Sequence, residues 1–435
     1  MNITPYLKLM SDKNASDLFF TTGAPASVKL EGEMRPVSRS TLDPGVTREI
    51  AYGLMDEAQI REFETTKEMN LGLSIAGIGR FRVNVYRQRG EVSLVIRFIK
   101  SIIPTLEELS LPPVLKDLVG HKNGLIIVVG STGSGKSTTL ASMLDFRNAH
   151  HAGHILTIED PIEYVFAHKK SIIGQREVGL DTLSYDNALR EAMREAPDLI
   201  MIGEVRDRKT MEAAISYADT GHLCLTTLHA VNENQALDRV INLFSSDAKQ
   251  QILMDLSLNL RGIVSQRLVV GMDGRRVPAV EVLVNTPYSS ELIKKGEMGA
   301  LKEVMEKGSV NGMQTFDQSL LELYRMKRIN LQAALANADS RGNLEWRINF
   351  GGGEDSFEDK VESLQFPDDV IEESPKAGSD VDPDAAMEGE EEVPDQAMDT
   401  LSMMRNAFGD EGDDLDEDDD MDDSTSNPDS SFGPG

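Results

Sequence analysis

The chain has 435 residues, 40% of them hydrophobic, a single cysteine and a formal charge of −29, a length that suits about two domains with extensions. Residues 351–435 carry 30 Asp and Glu against Lys360, Lys376 and Arg405, a net −27 that leaves only −2 for residues 1–350. That balance excludes the basic footprint a nucleic-acid partner requires, lone Cys224 excludes an internal disulfide or a cysteine-rich zinc module, and no apolar run reaches the roughly 18 residues that cross a bilayer.

The amino end is broken by Lys8, Ser11, Asp12 and Lys13, so it lacks the apolar stretch of a secretory signal, and a soluble, cytoplasmic protein is expected. Residues 1–100 read as a mixed α/β unit. A helix is expected over Ile3 to Met10, a strand over Asp17 to Thr21 and a turn at Gly23-Ala24-Pro25. A hairpin is expected from Ala26–Leu30 and Met34–Val37 around Glu31-Gly32-Glu33, and another from Arg80–Tyr86 and Val92–Ile96. Residues 101–115, with Pro104, Pro112 and Pro113, read as a linker. Over 116–350 the apolar runs Leu125–Val129, Ile155–Ile158, Leu199–Ile202 and Leu223–Leu228 alternate with helical stretches, the pattern of a largely parallel sheet in an α/β domain. Residues 351–435 are too poor in apolar side chains to offset ordering entropy, and disorder is expected there. Within them Met398, Leu401, Met404 and Phe408 would share one face of a short helix; chance spacing and a recognition helix both fit.

The strand at 125–129 runs into Gly130-Ser131-Thr132-Gly133-Ser134-Gly135-Lys136-Ser137-Thr138. This spacing lets successive backbone N–H groups turn toward phosphate oxygens, with Lys136 reaching the β- and γ-phosphates and the following helix offering its N-terminus to the anion. Ser131 to Thr138 are therefore the expected ATP-binding residues, with Ser137 as a Mg²⁺ ligand. Asp198–Glu204 reads as a strand next to the phosphate loop ending in an acid, so Glu204 is a second candidate for magnesium or for attacking water; a glycine precedes it where most such enzymes carry Asp. Glu159, Asp160 and Glu163 close a third strand, at the edge where open α/β sheets bind ligands. Acids in such places are often caps or surface groups; as a residue that orients and deprotonates water, Glu163 is the first choice and Glu204 the second. His222, Cys224 and His229 raise the idea of zinc, but His229 lies five residues beyond Cys224 and no fourth ligand is evident. A structural histidine, or one sensing the γ-phosphate, fits His229 as well. Arg80, Arg82, Arg87, Arg89 and Arg97 make the first unit locally basic. One of them could neutralise charge on the transferred phosphoryl, a task Arg194 and Arg206 could also serve.

GSTGSGKST, ILTIEDPIE, DLIMIGEVRD and TGHLCLTTLHA, in this order and spacing, resemble the Walker A, Asp box, Walker B and His box of the type II/IV secretion ATPases, over about residues 1–350. REVGLDT at 176–182, NQALDRVINLF at 234–244 and GMQTFDQSL at 312–320 are similar to the twitching-motility ATPases of the PilT/PilU group. The resemblance implies a PAS-like first domain and a RecA-like second domain, in a homo-hexameric ring that couples ATP hydrolysis to removal of pilin from a type IV pilus. It further implies Glu163 as the Asp-box catalytic glutamate, Glu204 as the Walker B glutamate, His222 and His229 as His-box residues, and Arg82 and Arg97 as arginines that approach the nucleotide. Where PilT-type members carry Ala-Ile-Arg-Asn-Leu-Ile after Asn-Thr-Pro, this chain reads Tyr288-Ser289-Ser290-Glu291-Leu292-Ile293 after Asn285-Thr286-Pro287, which places it nearer the PilU type. That implies an accessory retraction ATPase working with a PilT-like ATPase and a PilC-like platform protein at the cytoplasmic face of the inner membrane. An extension ATPase would need a further N-terminal domain and a four-cysteine module; a non-catalytic ATP-binding subunit is the alternative of another class.

Overall fold

The computed structural model describes residues 2–30 and 32–350, so the expected acidic disorder and the Ala397–Phe408 segment lie outside the described residues, as does Glu31 in the first hairpin turn. Two sheets organise the rest. The first is antiparallel, in the order β3-β2-β1-β6-β5-β4, from β1 (Asp17–Phe20), β2 (Pro25–Leu30), β3 (Glu33–Thr41), β4 (Glu68–Ile75), β5 (Gly79–Gln88) and β6 (Glu91–Ile99). In β5, Phe81, Val83 and Val85 are buried while Arg80, Arg82 and Asn84 between them are half-buried, the period-two pattern of a sheet packed on one side. Its apolar face closes on the helices Thr4–Lys13, Val46–Tyr52 and Glu57–Thr66 around Leu7, Phe20, Phe63, Phe81 and Leu94. Asp56 starts the third of these helices by accepting the backbone N–H of Ala58 and Gln59.

Residues 101–113 are an ordered connection. Leu106 and Leu111 are buried in the core of the second sheet, beside the helix Val114–Gly120.

The second sheet comprises β7 (Gly124–Val129), β8 (Gly153–Glu159), β9 (Ser171–Glu177), β10 (Leu199–Ile202), β11 (Leu223–Leu228), β12 (Leu260–Val270) and β13 (Arg276–Val284), in the order β13-β12-β7-β11-β10-β8-β9. Every neighbouring pair is parallel except β12 with β13. β7, β10 and β11 are buried at every position, as strands covered on both faces must be. Leu125, Ile127 and Val129 face one core with Ile158, Ile202 and Leu228; Ile126 and Val128 face the other with Leu140, Met201 and Leu225. The expected Walker B strand is not the neighbour of the phosphate-loop strand: β11 lies between β7 and β10. Chain order gives no neighbour relation in a parallel sheet, because each crossover can return on either side. Among the described residues no helix is long and apolar enough to cross a membrane.

Candidate active site

The central strands β7 and β10 are apolar throughout, and the polar groups of the site gather beyond the carboxyl ends of the parallel strands. β7 turns at Gly130 into a loop that opens the helix Lys136–His150. That helix has no side-chain cap, which leaves first-turn N–H groups for an anion. Gly135, at its N-cap, has φ +92° and stands so close to Gln266 that a Cβ would meet Nε2 at 2.7 Å; a Cβ on Gly130 would meet the Ser134 hydroxyl at 2.3 Å.

The loop is fixed from below by a residue that the motif does not contain. Gln266 of β12, 4% exposed, donates Nε2 to the Ser134 carbonyl at 2.9 Å and accepts the Thr139 hydroxyl at 2.6 Å. Lys136 donates Nζ to the carbonyls of Gly130 at 2.8 Å and Ser131 at 3.0 Å. Burial lowers the Lys136 pKa, opposed by the charges of Glu204 and Glu163. Ser134 is buried, its hydroxyl has no hydrogen-bond partner among the described residues, and its N–H donates to the Ser131 carbonyl at 3.2 Å.

Above the loop lies a cavity of about 410 Å³ whose lining includes Thr132, Gly133, Lys136, Ser137, Glu159, Asp160, Glu163, Tyr185, Glu204, Arg206 and His229. Glu204 follows β10 and is held by Arg206 Nε and His229 Nε2, each at 2.9 Å, with Arg206 extending to Asp160 at 3.7 Å. Asp207 caps the helix Arg208–Asp219 and Asn232 caps Glu233–Asn242, so the residues that carry Glu204 and His229 each run directly into an anchored helix. Gly203 has a packing reason to lack a side chain: a Cβ would lie 3.1 Å from the Tyr185 hydroxyl and 3.3 Å from the Glu159 Cα. Glu159 is buried, accepts the Thr157 hydroxyl at 2.7 Å and the Gln175 amide at 3.3 Å, and has its pKa pushed up to about 7 by desolvation. Glu163 is exposed and lines both this cavity and a cleft toward the first sheet, where Thr138 and Arg97 also lie.

The structure thus brings Thr132, Gly133, Lys136, Ser137, Glu163, Glu204 and His229 together. It does not bring His222 to them. His222 precedes β11 and sits on the far edge of the sheet, against the Tyr217 carbonyl and Thr220 hydroxyl, while His229 follows the strand's other end. A six-residue strand separates them by roughly 20 Å, which also rules out the zinc arrangement. Nor do Arg82 and Arg97 line the phosphate-loop cavity: Arg97 pairs with Asp17 at 2.8 Å and Arg82 lies 3.8 Å from Glu177. The arginine within the cavity is Arg206. Sequence reasoning missed Gln266, Tyr185 and Glu177. Only Glu177 had a local signal, an acid closing a β-rich run.

The family described as type II/IV secretion system protein matches residues 2–327. The chain is 51% identical over 365 residues to the type IV pilus ATPase PilU of Pseudomonas aeruginosa, covering 84% of this chain and 95% of that protein. It is 38% identical to the type IV pilus retraction ATPase PilT of the same organism, covering 78% and 98%. A crystal structure of the pilus retraction motor PilT with bound ADP superposes with a TM-score of 0.74 at 40% identity, over 79% of this chain and 99% of that one. The chain belongs to the type II/IV secretion system protein family and is a P-loop ATPase of the group that includes PilU and PilT.

Proposed function

We propose that this chain is the accessory retraction motor of a type IV pilus, hydrolysing ATP and coupling the reaction to movement between its two sheets. The observation that carries the chemistry is the convergence of Lys136, Glu163, Glu204 and His229 on one cavity above the phosphate loop. Lys136 and the N–H groups of 131–138 bind the phosphates, and Glu163 orients water from the open side of the cavity. Ser137 and Glu204 offer oxygen ligands suited to Mg²⁺, which would supply neutralising charge at the phosphates. His229 and Arg206 hold the Glu204 carboxylate in place. Arg97, across the interdomain cleft from Glu163, is placed to add positive charge when the cleft closes.

The reading of pilus retraction is supported by the names of the relatives, PilU and PilT. The sequence Tyr288–Ile293, which differs from the Ala-Ile-Arg-Asn-Leu-Ile of PilT-type members, supports an accessory role beside a PilT-like ATPase. A homo-hexamer bound to a PilC-like platform at the cytoplasmic face of the inner membrane completes the proposal. Glu163→Gln tests the chemistry: it should bind ATP normally and lose turnover on the order of 100-fold or more, and unaltered turnover would reject the assignment. Stimulation of hydrolysis on mixing with the same organism's PilT-like ATPase tests the accessory role; its absence would argue for an independent motor.

A further inference from the structure

Between the first sheet and the loop that carries Glu163 lies a carboxylate with one oxygen employed and one not. Glu177 closes β9, directly opposite Glu159 in the parallel register, and is 1% exposed. Its Oε2 accepts the backbone N–H of Ile162 at 3.3 Å, one residue before Glu163. Its Oε1 is buried and has no hydrogen-bond partner among the described residues. Arg82 Nε of β5 lies 3.8 Å from that oxygen, close enough for charge attraction and too far for a hydrogen bond.

The surroundings restrict how this contact can be completed. The end of β9 is held by Glu177 N–H on Asp181 at 2.9 Å and Val178 N–H on the Glu159 carbonyl at 2.9 Å, so Glu177 has little freedom to reach outward. The Glu163 loop is also tied to the first sheet at its far side, where Val165 N–H bonds the carbonyl of Lys100 just past β6 at 3.0 Å. Gly72 of β4, opposite Arg82, stands beside Leu180, so the first sheet already rests against the turn after Glu177. Burial pushes the Glu177 carboxyl up, and the Ile162 N–H, Arg82 and Arg80 pull it back toward the charged form. A buried carboxylate oxygen without a donor is costly, and a shift of the first sheet by about an ångström would satisfy it with a charge-assisted bond.

We infer that Glu177 is a positioning residue for the ATPase reaction and that Arg82 acts through it: as the first sheet closes, Arg82 hydrogen-bonds Glu177 Oε1, and Glu177 Oε2 carries the change through the Ile162 N–H to Glu163. This rests on the reading of Glu163 as the residue that orients water. It gives Arg82 a task distinct from contact with the nucleotide.

The experiment uses the full chain, with its PilT-like partner if turnover requires it, and compares Arg82→Gln, Glu177→Gln and the double variant. Each single variant should lower kcat on the order of 10- to 100-fold through misplacement of Glu163, with ATP affinity unchanged and Arg82→Lys recovering part of the loss. The double variant should be no slower than either single one, because both break the same link. Multiplying losses, or a weakened ATP affinity in Arg82→Gln, would overturn the inference in favour of direct contact with the phosphates. Hydrogen exchange over residues 160–165 with a non-hydrolysable ATP analogue is a readout that survives poor turnover. Arg82→Gln, a change at a partly exposed side chain, should speed that exchange, and unaltered exchange would overturn the link. If Glu163→Gln hydrolyses ATP normally, the role of Glu163 is wrong, while faster exchange and non-additive variants would still support the Arg82–Glu177–Ile162 connection.

Discussion

The two sheets carry their polar chemistry in different places. In the second sheet β7, β10 and β11 are buried on both faces, so functional groups occur only beyond their carboxyl ends: the phosphate loop, Glu204 and His229. In the first, alternation along β5 sets Phe81, Val83 and Val85 inward and Arg80, Arg82 and Asn84 on the other face. A doubly covered parallel sheet gathers chemistry at one edge, whereas a singly covered antiparallel sheet can present charge along its length. The pairing suits a motor in which one sheet holds the nucleotide and the other brings charge toward it.

Lys136→Ala should show the largest effect, with turnover falling on the order of 100- to 1,000-fold as a preorganised cation is lost from the phosphates; measurable steady-state hydrolysis near the parent rate would break the view that the strand-end edge is the active site. Gln266→Met, similar in volume, leaves the Ser134 carbonyl and Thr139 hydroxyl without their partner. Unsatisfied buried groups cost roughly 1–3 kcal/mol, so the KM for ATP and the Kd for ADP should both rise about tenfold while kcat changes little; unchanged ADP titrations would show that the phosphate loop holds its shape unaided. Gly203→Ala should destabilise the fold by about 1–3 kcal/mol through overpacking against Tyr185 and Glu159, read as a lower denaturation midpoint. At the first sheet, Arg97→Gln removes a mostly exposed guanidinium from the buried Asp17 carboxylate, which keeps the Ser16 hydroxyl as a donor, and should change stability by about 1 kcal/mol or less. A loss as large as that of Gly203→Ala would contradict the contrast drawn between the sheets.

Glu159 supplies a pH test of the buried edge. Its folded pKa of about 7 stands above the ordinary value of 4.5, so between those values the folded chain holds a proton that the unfolded chain has released. Its contribution is therefore full below about 4.5 and is lost as pH rises through about 7. Glu159→Gln, which keeps a neutral side chain, should flatten that part of the thermal-stability profile and melt higher than the parent at pH 8. Parallel profiles for the two proteins would show that Glu159 is not the group responsible.

Much of the second sheet was legible because its signals are local. The runs at 199–202 and 223–228 are the observed β10 and β11 to the residue, since short apolar segments bounded by turns have little choice of length. Gly130 to Thr138 announces its loop because phosphate geometry demands those glycines at that spacing. The neighbour relations were not legible. The acid-ending strand β10 is expected next to the phosphate loop, and although Glu204 does line the loop's cavity, β11 lies between β10 and β7; His222 and His229, grouped by their motif, stand at opposite ends of β11. Gln266 offered no signal at all, 130 residues beyond Lys136 in sequence and within reach of the loop only because β12 lies beside β7.

By itself the sequence determined the phosphate loop, the α/β class, the acids that follow the strands and the resemblance to the secretion ATPases, all of which depend on residues close together along the chain. The tertiary structure decided which of these share a cavity, that Gln266 supports the loop, that Gly203 is tightly packed by Tyr185 and Glu159, and that Arg82 faces Glu177. Those depend on crossovers and on packing between distant segments, and no local spacing encodes the order in which strands come to lie side by side.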